Sequence, residues 1–300
     1  MSGARAGATF RGSMVAIVTP MKADGAIDEA AWERLVEFHA AAGTDGLVVG
    51  GTTGESATLT DAELADLVAI AVRVLRGRMP VIAGAGSNST AIAVERARAL
   101  SRSGADGLLV VTPYYNKPTQ SGLVAHFRAV AAAGSLPVIP YNVPSRTGVD
   151  MQAEAVARIA EVPNIVGIKE ATGSVERART IRELCGPDFA VYSGDDATAV
   201  DLMAAGAQGV ISVTANVAPR QMHEVCAAAL SGDLPRARDL DGKLRELHEV
   251  LFVESNPIPA KWSLNRMGLI PPGLRLPLTG LEPRHHARVN DALKRAGVLQ

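Results

Sequence analysis

Apolar residues along this chain fall into two alternating patterns. Short runs rich in β-branched side chains are followed by longer stretches whose apolar positions recur every three or four residues, and the pair repeats about eight times from residue 14 onward. The short runs predict strands near Met14–Val18, Gly46–Val49, Val81–Gly84, Gly107–Val111, Val138–Tyr141, Ile165–Lys169, Ala190–Ser193 and Gly209–Ser212. Their near-continuous hydrophobicity is what a parallel sheet covered on both faces requires. The intervening stretches predict amphipathic helices. Asp28–Ala42 puts Trp32, Leu35, Val36 and His39 on one face, and Asp61–Leu75 does the same with Leu64, Leu67, Val68 and Ala71. Thr60 and Glu63 have capping-box spacing, and Gly43 and Gly104 stand where helices should stop. Eight strand–helix repeats predict an α/β protein, a (β/α)8 TIM barrel over 14–231 behind an N-terminal tail of 1–13. Residues 232–300 predict a C-terminal helical region packed on the barrel, with helices at Gly232–Val250, Pro259–Met267 and Pro283–Ala296. Apolar residues flank its joints at 232–235 and 269–277, so it does not read as a freely moving second domain.

Composition narrows the class. Hydrophobic residues make up 47% of the 300 and aromatic residues only 4%, so the core must be built from aliphatic side chains and alanine. A net charge of -1 gives no reason to expect nucleic acid or an anionic membrane as partner. No apolar run reaches the roughly 18 residues of a membrane span, and Met1–Gly12 lacks the apolar core of a signal peptide, so the cytoplasm is the expected location. Cys185 and Cys226 have no metal-ligand spacing and read as reduced thiols. The six histidines, 39, 126, 223, 248, 285 and 286, fall in helical stretches, which predicts no metal centre.

Candidate chemistry gathers at the ends of predicted strands. A lysine closing an apolar strand is ordinarily the first solvated residue of a loop. Around Lys169, however, other reactive side chains occupy equivalent positions: Thr52-Thr53, Tyr114-Tyr115 and Tyr141. Alternation puts Ile165, Gly167 and Lys169 on one strand face, with the glycine expected to leave room for a small substrate beneath the amine. The loop Gly50-Gly51-Thr52-Thr53-Gly54-Glu55-Ser56 has amides and hydroxyls suited to a carboxylate, although a glycine-rich turn chosen for its geometry fits it equally well. It lacks the Gly-Lys-Ser/Thr of a nucleotide loop, and in Gly84-Ala85-Gly86 the third glycine of a dinucleotide fingerprint is replaced by Ser89. Arg146, on the loop after Tyr141, could grip a substrate carboxylate with its planar fork; a solvated loop charge is the plainer reading of a lone arginine.

Taken together, Gly-Thr-Thr-Gly-Glu at 51–55, Tyr-Tyr-Asn at 114–116, Tyr-Asn-Val-Pro-Ser-Arg-Thr at 141–147, Gly-Ile-Lys-Glu at 167–170, Ser-Gly-Asp-Asp at 193–196 and Phe-Val-Glu-Ser-Asn-Pro-Ile-Pro at 252–259 resemble the dihydrodipicolinate synthase family of lysine-dependent pyruvate aldolases, from about Met14 to Pro283. The resemblance implies a (β/α)8 barrel with a C-terminal helical part, usually a homotetramer (a dimer of dimers). It implies condensation of pyruvate with L-aspartate-4-semialdehyde on the diaminopimelate route to lysine, without organic cofactor or metal. It makes Lys169 the Schiff-base residue and joins Thr53, Tyr141 and Tyr115 in a proton relay, with Tyr115 reaching a neighbouring subunit's site. Thr52 and Thr53 would hold the pyruvate carboxylate, Arg146 that of the semialdehyde, while Gly194 and Ile211 would line the pocket. Family members inhibited by lysine bind it at positions matching Ser56, Ala57, Asn88 and Tyr114, with a carboxylate where this chain has Ile92 and imidazoles where it has Asp61 and Leu64. The rivals are another pyruvate Schiff-base aldolase, such as N-acetylneuraminate lyase or a keto-sugar-acid aldolase, and a catalytically silent barrel serving as a binding protein. Arg146 argues against the first, and the presence of Lys169, Tyr141, Thr53 and Arg146 argues against the second.

Overall fold

The structure, a computed structural model, describes residues 10–299, so most of the expected tail, 1–9, lies outside the described residues. Eight parallel strands close into a barrel in sequence order: β1 (Gly12–Ala16), β2 (Gly46–Val49), β3 (Val81–Gly84), β4 (Gly107–Val111), β5 (Val138–Asn142), β6 (Gly167–Glu170), β7 (Ala190–Ser193) and β8 (Gly209–Ser212). Around and beyond them run α1 (Glu29–Ala42), α2 (Asp61–Leu75), α3 (Thr90–Leu100), α4 (Gln120–Ala131), α5 (Pro144–Thr147), α6 (Ala153–Ala160), α7 (Val175–Cys185), α8 (Ala199–Ala204), α9 (Pro219–Leu230), α10 (Leu234–Gly242), α11 (Arg245–Val250), α12 (Ile258–Arg266) and α13 (Pro283–Arg295). Among the described residues no helix is long and apolar enough to cross a membrane.

The apolar runs separate into two cores because strand side chains alternate. On β2, Leu47 and Val49 join the layer between barrel and helices, together with Trp32, Leu35, Leu67 and Val68, while Val48 joins Met14, Ile82, Ile139, Val166 and Ile211 inside the barrel. Each fully buried aliphatic or aromatic side chain is worth about 1.5–3 kcal/mol in transfer from water. The helix ends are secured as their sequences predict. Asp28 caps α1 by accepting from the Ala31 amide, Thr60 and Glu63 form a reciprocal capping box on α2, and Gly43 ends α1 at φ 84.

Three expectations need correction. The first strand begins at Gly12, two residues before the predicted Met14, and Phe10, placed in the tail by the sequence reading, fills the N-terminal end of the barrel. Its ring sits where a Cβ on Gly107 would be, and its carbonyl accepts from the Tyr192 hydroxyl at 3.0 Å. Secondly, β6 begins at Gly167, and Ile165 belongs to the helix-side core while Val166 faces the interior. Alternation therefore breaks before Gly167, and Ile165 does not share the face of Lys169. Thirdly, the helix predicted over 232–250 is two helices, α10 and α11, separated at Lys243 and Leu244 so that each can pack on a different neighbour, α9 or α13.

Candidate active site

Lys169 is the third residue of β6, in register with Tyr141 of β5 and Tyr192 of β7. Its side chain turns into the C-terminal mouth of the barrel, where it is 5% exposed and its Nζ lies 4.2 Å from the centre of the Tyr141 ring. Burial lowers its pKa to about 7; the Asp196 carboxylate resists that shift and the Arg146 guanidinium reinforces it. Roughly half of such amines are uncharged at neutral pH, against about one in a few thousand for an ordinary lysine. Asp196 does not touch the amine. Its Oδ2 accepts from the amides of Val213 and Thr214 at 2.9 and 3.0 Å, so its charge acts across a gap.

The space beside the amine comes from a different glycine than alternation suggested. A Cβ on Gly167 would stand 2.4 Å from the Ala190 carbonyl oxygen, so that glycine serves the close approach of β7. At Gly194 a Cβ would stand 3.0 Å from Lys169 Cε and 2.6 Å from Ala171 Cβ. Glycine at 194 is what leaves the lysine side open. Glu170, next along β6, points away from the cavity and is held by Asn142 and the Thr172 amide.

Thr52, Thr53, Tyr141, Arg146, Lys169 and Gly194 all line one cavity. Burial pushes the Tyr141 phenol up to about 12; Arg146 and the Thr52 hydroxyl pull it back, and Glu170 adds to the rise. The phenol is thus held neutral, able to pass a proton on only as it receives another. Arg146, in α5, donates from Nη2 to the Asn256 carbonyl at 3.2 Å and meets no carboxylate among the described residues. A cation, a near-neutral amine and buried hydroxyls therefore surround a space suited to a small anionic carbonyl compound.

The structure leaves two sequence-derived candidates outside this cavity. Tyr115 is 88% exposed at φ 73 and turns away from its own chain's site, so its hydroxyl does not reach the mouth as expected from the strand-end position. Ile211 is buried in the barrel interior, and the residue that follows β8 into the cavity wall is Val213. The sequence reading gave no role to Asn256, Phe252 or Asp195, which also line the cavity. Asn256 donates from Nδ2 to Thr53 Oγ1 at 2.8 Å across 203 residues of sequence. Only the 252–259 motif signalled that this segment mattered. Nor did the sequence reveal that Lys261 of α12 forms a buried ion pair with Glu55, on the loop that carries Thr52 and Thr53.

The model of the dihydrodipicolinate synthetase family matches residues 9–296. A 4-hydroxy-tetrahydrodipicolinate synthase from Thioalkalivibrio sulfidiphilus is 55% identical over 96% of this chain and 98% of its own. The crystal structure of a chloride-inhibited dihydrodipicolinate synthase from Acinetobacter baumannii complexed with pyruvate superposes with TM-score 0.96 at 52% identity, covering 97% of this chain and 100% of that one. A monomeric dihydrodipicolinate synthase variant is similar at TM-score 0.95 and 44% identity, covering 99% and 100%.

Proposed function

The chain belongs to the dihydrodipicolinate synthetase family, and from that membership we propose that it condenses pyruvate with L-aspartate-4-semialdehyde through a lysine Schiff base, giving 4-hydroxy-tetrahydrodipicolinate for lysine biosynthesis. The observation that carries the reading is the buried Lys169 amine, free of any contacting carboxylate, in a cavity with Thr52, Thr53, Tyr141 and Arg146.

Neutral Lys169 attacks the ketone carbon of pyruvate, whose carboxylate is taken up by the Thr52-Thr53 loop. The resulting carbinolamine loses water to give a protonated imine. This cation draws electrons from the methyl group, which releases a proton to form an enamine. The enamine carbon attacks the aldehyde of the second substrate, held through its carboxylate by Arg146, and the alkoxide formed takes up a proton. The amino group of that substrate then displaces Lys169 from the imine, closing the ring and restoring the amine. These proton movements call for a relay of hydroxyls; the one bonded to Tyr141 is that of Thr52, so the relay runs through Thr52 and Tyr141, while Thr53, expected in it from the sequence, is bonded to Asn256 instead. Tyr115 completes the relay from a neighbouring subunit of a homotetramer, a role for which its exposure in the single chain leaves it free. Gly194 leaves room beside the imine and Val213 takes the wall position expected of Ile211, which packs in the barrel interior. Imine formation should fall about tenfold per pH unit below about 7, as Lys169 takes up its proton.

The test offers the protein pyruvate with either aspartate semialdehyde or sugar aldehydes, and in parallel traps the pyruvate imine with borohydride. Turnover with the semialdehyde and a single pyruvate-derived adduct on the Lys169 peptide are expected. Preferential turnover of sugar aldehydes, or an adduct on another lysine, would overturn the reading.

A further inference from the structure

Once Lys169 is committed to the pyruvate imine, two other charged side chains remain among those lining the cavity, Arg146 and Asp195. The proposed second substrate also carries two charges, a carboxylate and an α-ammonium on the same carbon. Arg146 answers the first. The second needs an acid.

Asp195 lies in the turn between β7 and α8, where its main chain is pinned on both sides. The Ser193 hydroxyl donates to the Asp195 carbonyl at 2.7 Å and accepts from the Asp195 amide at 3.2 Å. The side chain is seated as well, because Oδ2 accepts from the Thr198 hydroxyl at 2.7 Å. A Cβ on Gly173 would stand 3.6 Å from that Oδ2 and 3.7 Å from Thr198 Cγ2, so the turn after β6 closes against the same pair. Oδ1 is left without a partner among the described residues. Nothing local requires its charge. Thr198 stands at the N-cap of α8 without a side-chain bond to a helix amide, and an asparagine oxygen would serve its hydroxyl equally well. No resident cation claims the acid either. His248 feels the charge, but its ring contacts Asp241 and Thr214, and Arg146 turns to the Asn256 carbonyl. The neighbouring acid, Asp196, is buried and gives Oδ2 to two backbone amides. Asp195 is thus the carboxylate at the cavity with an oxygen to spare.

We propose that Asp195 is a specificity-determining residue of this site, taking the α-ammonium of the second substrate while Arg146 takes its carboxylate. The inference deepens the function proposed above and rests on it. An acid in that place favours an amino aldehyde over sugar aldehydes, which offer hydroxyls instead. Asp195→Asn tests it, since the change keeps the size and the acceptor for Thr198 and removes only the charge. Three quantities are measured on the full chain: kcat/KM for L-aspartate-4-semialdehyde at saturating pyruvate, the inhibition constant of succinate semialdehyde, which is the same aldehyde without the amino group, and the fraction of Lys169 trapped by borohydride. Asp195→Asn should lower kcat/KM for the aminated aldehyde about ten- to hundredfold, the effect of losing a hydrogen bond to a charged group. Inhibition by succinate semialdehyde and trapping of pyruvate should stay within about twofold of wild type. Asp195→Ala should lose as much as Asp195→Asn; a carboxylate that merely seats Thr198 would tolerate asparagine and not alanine. Unchanged kcat/KM in Asp195→Asn, or equal weakening of both aldehydes, would overturn the inference and leave the function standing. An unaltered protein that traps no pyruvate would bring down the function, and the inference with it.

Discussion

Lys169 and Lys261 are both sealed from water, 5% and 1% exposed, yet they sit in opposite electrostatic settings. Burial lowers the pKa of each. At Lys261 the Glu55 carboxylate is in direct contact and favours the ammonium, even though Arg275 adds to the downward push. At Lys169 the acid that favours the ammonium, Asp196, is not in contact and has one oxygen on two backbone amides, and the amine rests against the face of Tyr141. Burial alone therefore does not mark a nucleophile. What marks it is burial without a contacting counter-charge, beside open space.

Replacing each lysine with methionine is the sharpest way to break this comparison. Lys169→Met should cost at least about a thousandfold in turnover, with little loss of stability, because it removes an amine that gains nothing from its burial. Lys261→Met leaves the Glu55 carboxylate buried without its cation, held only by the Arg275 amide among the described residues, which costs about 3–5 kcal/mol of folding stability. Denaturant unfolding of both variants checks the contrast, and equal stability losses would abolish it. The pH dependence sharpens it further. Native Lys169 sheds its proton near 7 whereas an unfolded lysine keeps it to about 10.5. Between those values the unfolded chain binds more protons, so native stability rises with pH through that window and is lowest below 7. Lys169→Met should flatten this slope.

The arginines repeat the pattern. Arg275 spends its guanidinium on Glu63, Thr58 and Gly25, tying the C-terminal region to the start of α2, whereas among the described residues Arg146 has only the Asn256 carbonyl. Arg146 accordingly has charge to offer a substrate. Arg146→Ala should lower kcat/KM for aspartate semialdehyde about ten- to hundredfold, while borohydride trapping of pyruvate on Lys169 survives. Undiminished use of the semialdehyde would make Arg146 an ordinary loop charge.

What could be read from the sequence follows the range of the interactions. Strands β2, β3, β4, β7 and β8 begin and end where their apolar runs do, since burial on both faces leaves a continuous local signature. Lys169 and Tyr141 were visible because each closes an apolar run, and Thr53 because it lies in the glycine-rich loop that follows one. Asn256 and Lys261 were not, because their partners lie 203 and 206 residues away and neither has local periodicity to betray it. The break in alternation at Val166 is equally silent: Ile-Val-Gly-Ile reads as a regular strand, and only the crowding of Ala190 against Gly167 shows where the register changes. Ile211 is a related case, since the sequence places it near a strand end without saying that the wall turns inward two residues later, at Val213.

The smallest effect expected is the response to lysine. The family resemblance places an inhibitory lysine against Ser56, Ala57, Asn88 and Tyr114, with a carboxylate for its ammonium where this chain has Ile92, half-exposed on α3. Asp61, the first residue of α2, is the acid available to stand in for that carboxylate. The structure gives the cap to Thr60 and pairs Asp61 with Arg96 Nε at 2.6 Å. Like Glu55 beside Lys261, this carboxylate already has its cation, and Arg96 is further fixed by the Gly86 carbonyl at 3.0 Å. An arriving ammonium would have to share the acid with a guanidinium or go without a partner. A shortfall of about 3 kcal/mol weakens binding about a hundredfold. Lysine at millimolar concentration should therefore barely slow condensation, and Ile92→Glu should make the protein more sensitive. An inhibition curve for the unaltered chain with a submillimolar midpoint would break the rule that a carboxylate already matched to a cation is lost to a second one.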